Sequence, residues 1–538
     1  MTGARPPGYP LRVISAQAAA ASGARTGRAG DSGGFRTRWA LLISVAGGLA
    51  LYASLPPAGF WPLAVLGPAL LVLALTGRSL RGSFGCALAF GLAQFVPLLS
   101  WLINLAWYAW AALAVSEAVI FALLAIGQRL LLRLPYWPVA VAGWWVLVEG
   151  VRDRWPYAFP WGRLAMSQSV APDVRWVAFG GAPLLSFLIA LTGAMLAAAI
   201  LAWLGPEGRA RWTASAAAVV TAGLVLAGGL LPADPTGGAP TAQVAAIQGN
   251  VPRARNLPQQ LSATQVTQNH VDATLKLAAQ VKAGQRPAPD LVIWPENATD
   301  LDPFQNPSVY AQLSTAVAAI GRPILVGEVL NNPRRNVGQL WVPGRGPTTA
   351  YVKRQLVPFG EYIPFRGIIS SFSDLPALQP IDFTAGRRPV VFGVGKIRLG
   401  DVICYEVAFD HLVRSEVTAG ANLLAVQSND ADFEIDGQLG ETQQQTAMAR
   451  IRAVESDRAV VYASTTGEST IIAPDGSLIA HSGVWQQAIL DARVPLVSHR
   501  TLADRVGAWP EYVIIMLTVL ALAWAVVRVT RRRRQASE

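Results

Sequence analysis

The sequence predicts a polytopic α-helical membrane domain of about eight spans, joined to an α/β domain outside the cytoplasm. Of the 538 residues, 52% are hydrophobic and only 14% are charged, and the mean hydropathy is +0.36, which is unusual for a soluble protein. Long apolar runs flank a different kind of segment between about residues 242 and 496. There, short β-rich runs alternate with helical patterns, as in α/β domains.

Eight apolar runs predict the spanning helices. They lie near 39–54, 61–76, 84–104, 107–131, 137–150, 182–204, 212–231 and 509–528. Three of them, at 39–54, 61–76 and 137–150, are shorter than the ~20 residues that cross a hydrocarbon core. To cross the membrane, these three runs must be extended by flanking apolar loops, or else they are partly re-entrant. Residues 1–38 are rich in Ala, Gly, Ser and Arg, which predicts a disordered basic tail.

The orientation follows from arginines beside the helix ends, because Lys and Arg stay on the cytoplasmic side. With the first tail inside, the loops predicted to be cytoplasmic contain Arg78 and Arg81, Arg129 and Arg133, Arg209 and Arg211, and Arg528 with 531–534. The loop 151–178 is the exception, because it is predicted outside and carries Arg152, Arg154, Arg163 and Arg175. Both termini are therefore predicted to be cytoplasmic in a multi-pass protein of the cytoplasmic membrane.

The predicted domain organisation follows from these spans. It consists of a cytoplasmic tail at 1–38, a seven-helix membrane domain at 39–231, an extracytoplasmic catalytic domain at 232–508 with its core at 242–496, a C-terminal span at 509–528 and a basic cytoplasmic tail at 529–538. Within the α/β domain, strands are predicted at 243–247, 291–294, 324–328, 397–403, 423–427 and 459–463, and helices at 262–283, 308–320 and 441–456. The turn sequence Pro474-Asp475-Gly476 predicts a hairpin over 470–480.

Charge and composition exclude several classes of protein. Lys and Arg number 44 against 33 Asp and Glu, a net charge of +11, but the basic residues lie at helix ends rather than on one face. Nucleic-acid binding is therefore not expected. Two cysteines, Cys86 and Cys404, do not make a disulfide framework, and four scattered histidines make no metal constellation. We expect no metal and no cofactor.

Glu296 is the first candidate for chemistry. It closes the apolar run Leu291-Val292-Ile293-Trp294-Pro295, so it lies at the end of a predicted strand. Poor solvation there raises the pKa of a carboxyl group and suits it to act as a base near neutral pH. The alternative is a turn or helix-capping carboxylate without a catalytic role.

Cys404 is the second candidate. The strand at 397–403 delivers its thiol to a sharp turn, followed by a helical stretch to about Arg414. The positive end of a helix favours a thiolate and can later hold an oxyanion. The alternative is a buried structural cysteine, which is how we interpret Cys86 within its apolar run. His411 lies about two helical turns from Cys404, which makes a Cys/His dyad a poor fit.

Lys353 completes a possible catalytic set. It follows a predicted strand, and Glu361 returns after the turn Pro358-Phe359-Gly360. For a single lysine, the alternative is an ordinary surface position. A thiol nucleophile, however, needs a base and a fixed cation where negative charge grows on the carbonyl oxygen. Glu296 and Lys353 supply both without a histidine.

The order and spacing of Glu296, Lys353 and Cys404 resemble the Glu-Lys-Cys triad of the nitrilase, or carbon–nitrogen hydrolase, superfamily. Fuller motifs resemble its membrane branch, the apolipoprotein N-acyltransferase family. They are Gln248-Gly249-Asn250, Trp294-Pro295-Glu296, Lys353 with Leu356-Val357-Pro358-Phe359-Gly360-Glu361-Tyr362, Cys404-Tyr405-Glu406 and Ser428-Asn429-Asp430. The motifs cover about 242–496, and the eight-span frame is similar as well.

This resemblance implies an αββα sandwich and a two-step acyl transfer on the outer membrane face. It implies that Cys404 is the nucleophile, Glu296 the base, and Lys353 with the N–H of Tyr405 the oxyanion site. Glu361 is expected to orient Lys353 or the base, and Glu406 to support the pocket. The implied partners are a phospholipid acyl donor, a diacylglyceryl-modified apolipoprotein as the acceptor, and the bilayer. We expect a monomer.

The chain departs from the family pattern near the expected acyl or acceptor pocket. Asn256 and Leu257 stand near a position where the family commonly has Trp, and Asp432 stands where it has an aromatic residue. Two other functions remain open from the sequence. One is a membrane-tethered amidase or nitrile hydrolase that uses the same triad with water as the acceptor. The other is a non-catalytic membrane scaffold.

Two segments are predicted to meet the membrane surface. Trp155, Tyr157, Phe159 and Trp161 in the loop 151–178 predict an interfacial aromatic belt rather than substrate contacts. The long connection 362–387 carries apolar side chains among Gly, Ser and Pro. It is interpreted as a mobile lid that dips into the interface, or alternatively as ordinarily packed chain.

Overall fold

The computed structural model describes residues 37–206, 208–231, 236–252, 259–371, 379–433 and 439–535. Seven helices come first. They are α1 (Thr37–Ser54), α2 (Leu63–Leu75), α3 (Leu80–Leu98), α4 (Trp107–Leu131), α5 (Trp137–Arg152), α6 (Val177–Leu204) and α7 (Gly208–Leu226). Each lies at one of the predicted apolar runs. Most of the predicted tail 1–38 lies outside the described residues.

The apolar helices are not all of one kind. Within the described residues, four segments are long and apolar enough to cross a membrane: Trp107–Leu131, Pro172–Leu204, Gly208–Leu230 and Trp509–Arg532. Leu63–Leu75 is apolar but shorter. The predicted continuous run 84–104 is wrong at its end, because α3 stops at Leu98 after Pro97 and a separate 3₁₀ turn follows at Ser100–Asn104.

Small residues allow the apolar helices to approach closely. A Cβ added to Gly48 of α1 would lie 2.2 Å from the carbonyl oxygen of Phe90 in α3. A Cβ added to Gly143 of α5 would lie 2.1 Å from Oγ1 of Thr518 near the C-terminus. Such contacts are typical of membrane helix packing, where close van der Waals contact replaces the hydrophobic effect as the driving force.

The α/β domain contains two six-stranded sheets. In spatial order the first is β12-β1-β2-β3-β4-β5 and the second is β11-β10-β9-β8-β7-β6. The strands are β1 (Thr241–Gln248), β2 (Leu291–Ile293), β3 (Ile324–Asn331), β4 (Arg334–Val342), β5 (Gly346–Val352), β6 (Val391–Val394), β7 (Ile397–Ile403), β8 (Leu423–Ser428), β9 (Val460–Ser464), β10 (Thr470–Ile472), β11 (Leu478–His481) and β12 (Ala488–Pro495). The predicted hairpin at 470–480 is β10 and β11.

The helices that follow in the chain are α8 (Gln259–Lys282), α9 (Pro307–Ile320), α10 (Arg366–Ile369), α11 (Asp410–Thr418), α12 (Gly440–Ser456), α13 (Leu502–Val506) and α14 (Trp509–Gln535). The outer face of the first sheet is covered by α8 and α9, and that of the second sheet by α11 and α12. Along β1, Val244 and Ala246 face the second sheet, while Ala245 and Ile247 face α8 and α9. This two-residue alternation between two buried faces explains the continuous apolar strands and gives the αββα sandwich that the resemblance implied.

The helices over the second sheet also contact the membrane domain. Residues of α11 and α12, such as Leu412 and Met448, belong to the same buried apolar cluster as Phe90 and Leu98 of α3. The strand that ends at Cys404 and the helix α12 are thus held against the apolar helices. The α/β domain is therefore packed on the membrane domain and not merely tethered by its two ends.

Asp401 of β7 is buried between the two sheets. A Cβ on Gly338 of β4 would lie 2.0 Å from its Oδ2 and 2.6 Å from Oε1 of Gln427. Among the described residues, neither Asp401 oxygen has a hydrogen-bond partner, and neither has Oε1 of Gln427. Burial, followed by the negative charge of Glu406, raises the pKa of Asp401 well above its usual value, so the neutral acid is favoured.

Replacing Asp401 with asparagine is expected to stabilise the protein at neutral and alkaline pH. Because the pKa of Asp401 is higher in the folded than in the unfolded state, its stabilising contribution is present at low pH and is lost as the pH rises toward the folded value. The unfolding temperature of the variant in detergent should exceed that of the wild type by about 2–4 °C per kcal/mol of penalty removed. The difference should grow between pH 5 and pH 9, and a constant difference would contradict this assignment.

Candidate active site

Glu296 lies just beyond the end of β2 and is buried. Its Oε1 accepts hydrogen bonds from Nζ of Lys353 at 2.9 Å and from Nδ2 of Asn336 at 2.6 Å. Its Oε2 accepts from the backbone N–H of Asn429 at 3.0 Å. Asn429 follows β8 in the other sheet, so this carboxylate joins the two sheets at the edge where their parallel strands end.

Lys353 directly follows β5 and is only 1% exposed. Its Nζ lies 2.9 Å from Glu296 and 3.1 Å from Oε1 of Glu361. Glu361 is held in turn by Nδ2 of Asn336 at 3.0 Å and by the backbone N–H of Val357 at 2.8 Å. The alternative that Lys353 is a surface residue is wrong, because one buried ammonium group bridges two buried carboxylates.

The electrostatic balance of this cluster suits proton transfer. Burial raises the pKa of Glu296, the positive charge of Lys353 lowers it, and the negative charge of Glu361 raises it further, with a net upward shift. Burial alone would lower the pKa of Lys353, but the charges of Glu296 and Glu361 outweigh it and raise that pKa above its usual value. Lys353 therefore stays a cation, while Glu296 is a stronger base than an exposed glutamate.

Cys404 sits on a strained turn at the end of β7. Its φ is +53°, a left-handed conformation that costs a residue with a Cβ about 1–2 kcal/mol. It begins the 3₁₀ turn Cys404–Ala408, and α11 starts only at Asp410. The expected α-helix start at the thiol is therefore wrong, because a short 3₁₀ turn stands between. As the second residue of that turn, Tyr405 has an N–H without an acceptor in the turn.

The thiol of Cys404 is buried and has charged neighbours. Burial and the negative charge of Glu296 raise its pKa well above the usual value, while the positive charge of Lys353 acts in the opposite direction. A resting thiolate favoured by a helix end is therefore not what the structure shows. The neutral thiol is the stable form, so it needs a base to remove its proton. Glu296 is the candidate for that base, because its charge contributes to the pKa shift of Cys404.

Glu406 ties the two loops of the site together. Its Oε1 accepts from the backbone N–H groups of Arg354 at 2.7 Å and Gln355 at 3.0 Å. Its Oε2 accepts from the hydroxyl of Tyr351 at 2.8 Å and from the N–H of Ile403 at 2.7 Å. One buried carboxylate thus fixes the backbone beside Lys353 relative to the backbone beside Cys404.

Tyr405 connects the site to the membrane domain. Its ring stacks on Trp161 at 5.9 Å and on Phe159 at 6.3 Å between centroids, and its hydroxyl donates to the carbonyl of Ala158. Phe159 and Trp161 are 7% and 2% exposed, against 63% for Trp155. The predicted interfacial belt is therefore wrong for Phe159 and Trp161, which pack beneath the turn that carries Cys404.

Gln444 of α12 makes a second connection. Its Oε1 accepts from the indole nitrogens of Trp161 at 2.6 Å and Trp101 at 3.2 Å. Its Nε2 donates to the carbonyls of Pro56 and Leu98, each at 3.1 Å. These four hydrogen bonds therefore fix the position of α12 relative to the membrane domain.

Four arginines of the loop 151–178 are paired with carboxylates. Arg163 lies 2.8 Å from Asp410, Arg154 2.7 Å from Glu511 and Arg175 3.2 Å from Asp457, and Arg152 pairs with Glu117. These four arginines are the exception to the cytoplasmic placement of basic residues. The pairs of Arg163 and Arg175 join the membrane domain to the α/β domain, the pair of Arg154 joins it to α14, and the pair of Arg152 joins α5 to α4.

The sequence motifs did not include Asn336, which bridges Glu296 and Glu361. It lies inside β4, and nothing in its sequence neighbourhood distinguishes it from a polar residue of an edge strand. Gln445, whose Nε2 lies 3.5 Å from Sγ of Cys404, was likewise predicted only as part of a helix. The contacts of Asn336 and Gln445 cannot be read from the local sequence, because they join residues that lie 25 to 41 positions apart in the chain.

The two departures from the family pattern differ in what the structure describes. Asn256 and Leu257 lie outside the described residues. Asp432 is exposed on the turn after Asn429, and the next residue, Phe433, packs edge-on against Trp101 with ring centroids 5.0 Å apart. An aromatic side chain therefore stands one position later. In the described part of the chain, no group of three His, Cys, Asp or Glu side chains is placed to hold a metal.

Fold and site together define a carbon–nitrogen hydrolase domain, and the profile named Carbon-nitrogen hydrolase matches residues 243–504. The profile named Apolipoprotein N-acyltransferase N-terminal domain matches residues 47–195. A relative from Mycolicibacterium smegmatis, named Apolipoprotein N-acyltransferase, is 37% identical over 92% of this chain and 88% of its own length. One of the same name from Azotobacter vinelandii is 32% identical over 92% of this chain and 96% of its own. The chain belongs to the apolipoprotein N-acyltransferase family.

A solved structure of an amidase from Nesterenkonia sp. matches about half of the chain. It is 19% identical, with a TM-score of 0.35, over 49% of this chain and 92% of that one.

Family membership makes the protein an N-acyltransferase of lipoprotein biosynthesis and a membrane protein. Of the three functions open from the sequence, the acyltransferase is thus supported over the simple hydrolase and the scaffold.

Replacing Glu361 with glutamine is expected to move the acid limb of the pH–activity profile to lower pH. We expect Glu296 to be the base, which must be ionised, so activity should fall as the pH drops through its raised pKa. Removing the negative charge of Glu361 lowers that pKa, because this charge is one of the contributions that raise it. We also expect a lower maximal rate, since Lys353 loses one partner. An unchanged or alkaline-shifted acid limb, measured as transfer rate between pH 4 and pH 8, would exclude Glu296 as the titrating base.

Proposed function

We propose that the protein transfers an acyl chain from a membrane phospholipid to the α-amine of the diacylglyceryl-cysteine of apolipoproteins, through a thioester on Cys404. The observation that carries this is the contact of Glu296 with Lys353 beside a strained, buried cysteine that is stacked against the membrane domain. The phospholipid, the lipoprotein and the bilayer are the proposed partners. The protein works as a monomer and binds no nucleic acid.

In the first half-reaction, Glu296 takes the proton of the Cys404 thiol and the sulfur attacks the ester carbonyl of the phospholipid. A carbon–sulfur bond forms and the ester carbon–oxygen bond breaks. The lysophospholipid leaves with the proton from Glu296. Lys353 and the N–H of Tyr405 stabilise the negative charge on the carbonyl oxygen in between.

In the second half-reaction, the amine of the lipoprotein attacks the thioester and Glu296 accepts its proton. A carbon–nitrogen bond forms, the carbon–sulfur bond breaks, and the proton returns to Cys404. Glu361 and Asn336 orient Lys353 and Glu296, and Glu406 holds the loops of Lys353 and Cys404 in register. The thioester preserves the acyl group in an activated form, and a site shielded from water limits its hydrolysis.

A lipid donor is favoured by the surroundings of the site. Tyr405, adjacent to the nucleophile, stacks on Trp161 of the membrane domain. Phe365 and Ile368 at α10, and Ile381 after it, are 59%, 65% and 62% exposed on the connection that follows Glu361. Exposed apolar groups of this kind suit a membrane interface. The lid interpretation of 362–387 remains a prediction, and 372–378 within it lie outside the described residues.

We further propose that the chain crosses the membrane eight times, with the catalytic domain 232–508 outside the cytoplasm and both termini inside. Support comes from helices at all eight apolar runs and from arginines at the proposed cytoplasmic ends. The arginines of the loop 151–178 remain the exception to this pattern, although each of them is paired with a carboxylate. The variant Lys396→Cys, at an exposed position and with Cys86 and Cys404 both replaced by alanine, should react with an impermeant maleimide on intact spheroplasts. Labelling only after lysis would reverse the orientation.

The acyl-transfer proposal is tested by giving the purified protein phospholipid and a diacylated lipopeptide with a free N-terminal amine. We expect N-acylated lipopeptide and lysophospholipid in equal amounts. A small soluble amide should be hydrolysed slowly or not at all. Rapid turnover of amides without phospholipid, and no acylation of the lipopeptide, would instead favour the membrane-tethered amidase.

A further inference from the structure

Gln445 in the second turn of α12 touches the sulfur of the proposed nucleophile. Its Nε2 lies 3.5 Å from Sγ of Cys404, within the range of a hydrogen bond to sulfur. The side chain is 1% exposed, so water does not compete for this contact. Gln445 has no role in the proposed half-reactions, although it places a hydrogen-bond donor on the sulfur.

The orientation of the Gln445 amide is fixed by its other neighbours. Nε2 also donates to Oε1 of Glu441, one turn earlier on the same helix. Oε1 faces the hydroxyls of Tyr462 and Ser428, each at 3.4 Å. The flipped amide would set its carbonyl oxygen against the carboxylate of Glu441, which is unfavourable. An amide nitrogen has two hydrogens, so the one not used by Glu441 is available to the sulfur.

The surroundings of Cys404 disfavour a thiolate, and a hydrogen-bond donor beside the sulfur counteracts this effect. Besides burial, the negative charges of Glu296, Glu441 and Asp430 all disfavour a thiolate at Cys404, and Lys353 is the cation that acts in its favour. Lys353 already bridges Glu296 and Glu361. A neutral amide adds a hydrogen bond to the anion without adding a positive charge, which would also lower the pKa of Glu296 and weaken it as a base.

We propose that Gln445 is a further catalytic residue whose Nε2–H donates to Sγ of Cys404 and stabilises the thiolate. The same bond stabilises the sulfur again when the acceptor amine expels it from the thioester. The proposal rests on the proposed function in one respect, because it takes Cys404 as the nucleophile. It adds a role for α12, the helix that the membrane domain holds through Gln444.

The test is the pH dependence of Cys404 alkylation by iodoacetamide in the full-length protein in detergent, read by peptide mass spectrometry. Gln445→Met keeps the volume and removes the N–H. Its alkylation midpoint should rise by about one pH unit, and its rate near pH 7 should fall about tenfold. The matched control is Gln443→Met, on the same helix but bonded to Glu468, which should follow the wild-type profile. Coincident profiles of Gln445→Met and wild type would overturn the proposal.

A second variant covers the case in which Gln445→Met does not fold. Gln445→Asn keeps the amide but withdraws it by one methylene, so its midpoint should also rise, and an unchanged midpoint would again overturn the proposal. Acyl-adduct formation by the wild type is measured in parallel. An alkylation shift without any adduct would support the hydrogen bond and refute the proposed acyl transfer. An adduct without an alkylation shift would refute the hydrogen bond alone.

Discussion

Replacing Cys404 with alanine is expected to abolish acylation of the enzyme and transfer to the lipopeptide. No other group near Glu296 and Lys353 carries a nucleophilic sulfur, since the second cysteine of the chain, Cys86, lies within α3. Loss of a nucleophile from a cooperating set typically removes nearly all of the rate advantage, so we expect a fall on the order of 10⁴-fold or more. The measurement is the rate of N-acylated lipopeptide formation at saturating phospholipid.

The matched control for this variant is Cys86→Ala. Cys86 is 1% exposed within the helical core, and its loss removes a small buried group without touching the site. It should keep the wild-type transfer rate. The unfolding temperature of Cys404→Ala should also remain close to that of the wild type, because this substitution leaves the ion pairs of Lys353 with Glu296 and Glu361 in place. Transfer by Cys404→Ala at more than a few percent of the wild-type rate would contradict the proposed role of the sulfur.

Replacing Lys353 with methionine is expected to damage both activity and stability. The ammonium group is the cation shared by Glu296 and Glu361, and its loss leaves two buried carboxylates facing each other. Breaking a buried pair by removing one partner costs about 3–5 kcal/mol. Loss of an oxyanion donor lowers the rate by about 10²–10³-fold. Chemical denaturation in detergent and the lipopeptide assay measure the two effects.

The control for the charge removal is Lys396→Met. Lys396 lies in the exposed turn between β6 and β7, so the same substitution there should leave both stability and transfer near wild type. Because the variant at Lys353 removes a positive charge from beside Glu296, it also raises the pKa of that carboxyl. The acid limb of any residual activity should therefore move to higher pH, opposite to the shift expected for Glu361→Gln. A shift in the same direction for both variants would be inconsistent with the cluster.

The fold was predictable from the sequence where a strand is buried on both faces. β8 and β9 are fully buried strands in the centre of the second sheet, and their positions agree with the prediction within one residue. β4, β6 and β12 were not predicted, and β5 was indicated only by the position of Lys353 at a strand's end. They lie toward sheet edges and contain exposed or half-buried positions, so their sequences lack a continuous apolar signal. Their pairing depends on the neighbouring strands and not on local propensity.

The candidate site was predictable only in part. Glu296, Lys353 and Cys404 each follow a recognisable strand, which is why the sequence places them at strand ends. Asn336 and Gln445 lie within a strand and a helix whose patterns carry no chemical signal. The packing of Trp161 against Tyr405 was also beyond sequence reasoning. An aromatic residue in a loop between apolar helices has the same composition whether it faces lipid or another domain.

The most direct measurement of the central claim is a single-turnover experiment on isolated acyl-enzyme. The protein is loaded from phospholipid with a labelled acyl chain, freed of excess lipid and mixed with diacylated lipopeptide, and the peptide containing Cys404 is followed by mass spectrometry. The account predicts that the label disappears from Cys404 at the same rate at which N-acylated lipopeptide appears. Lipopeptide acylated while the label stays on Cys404, or acylated before any label reaches that residue, would contradict it.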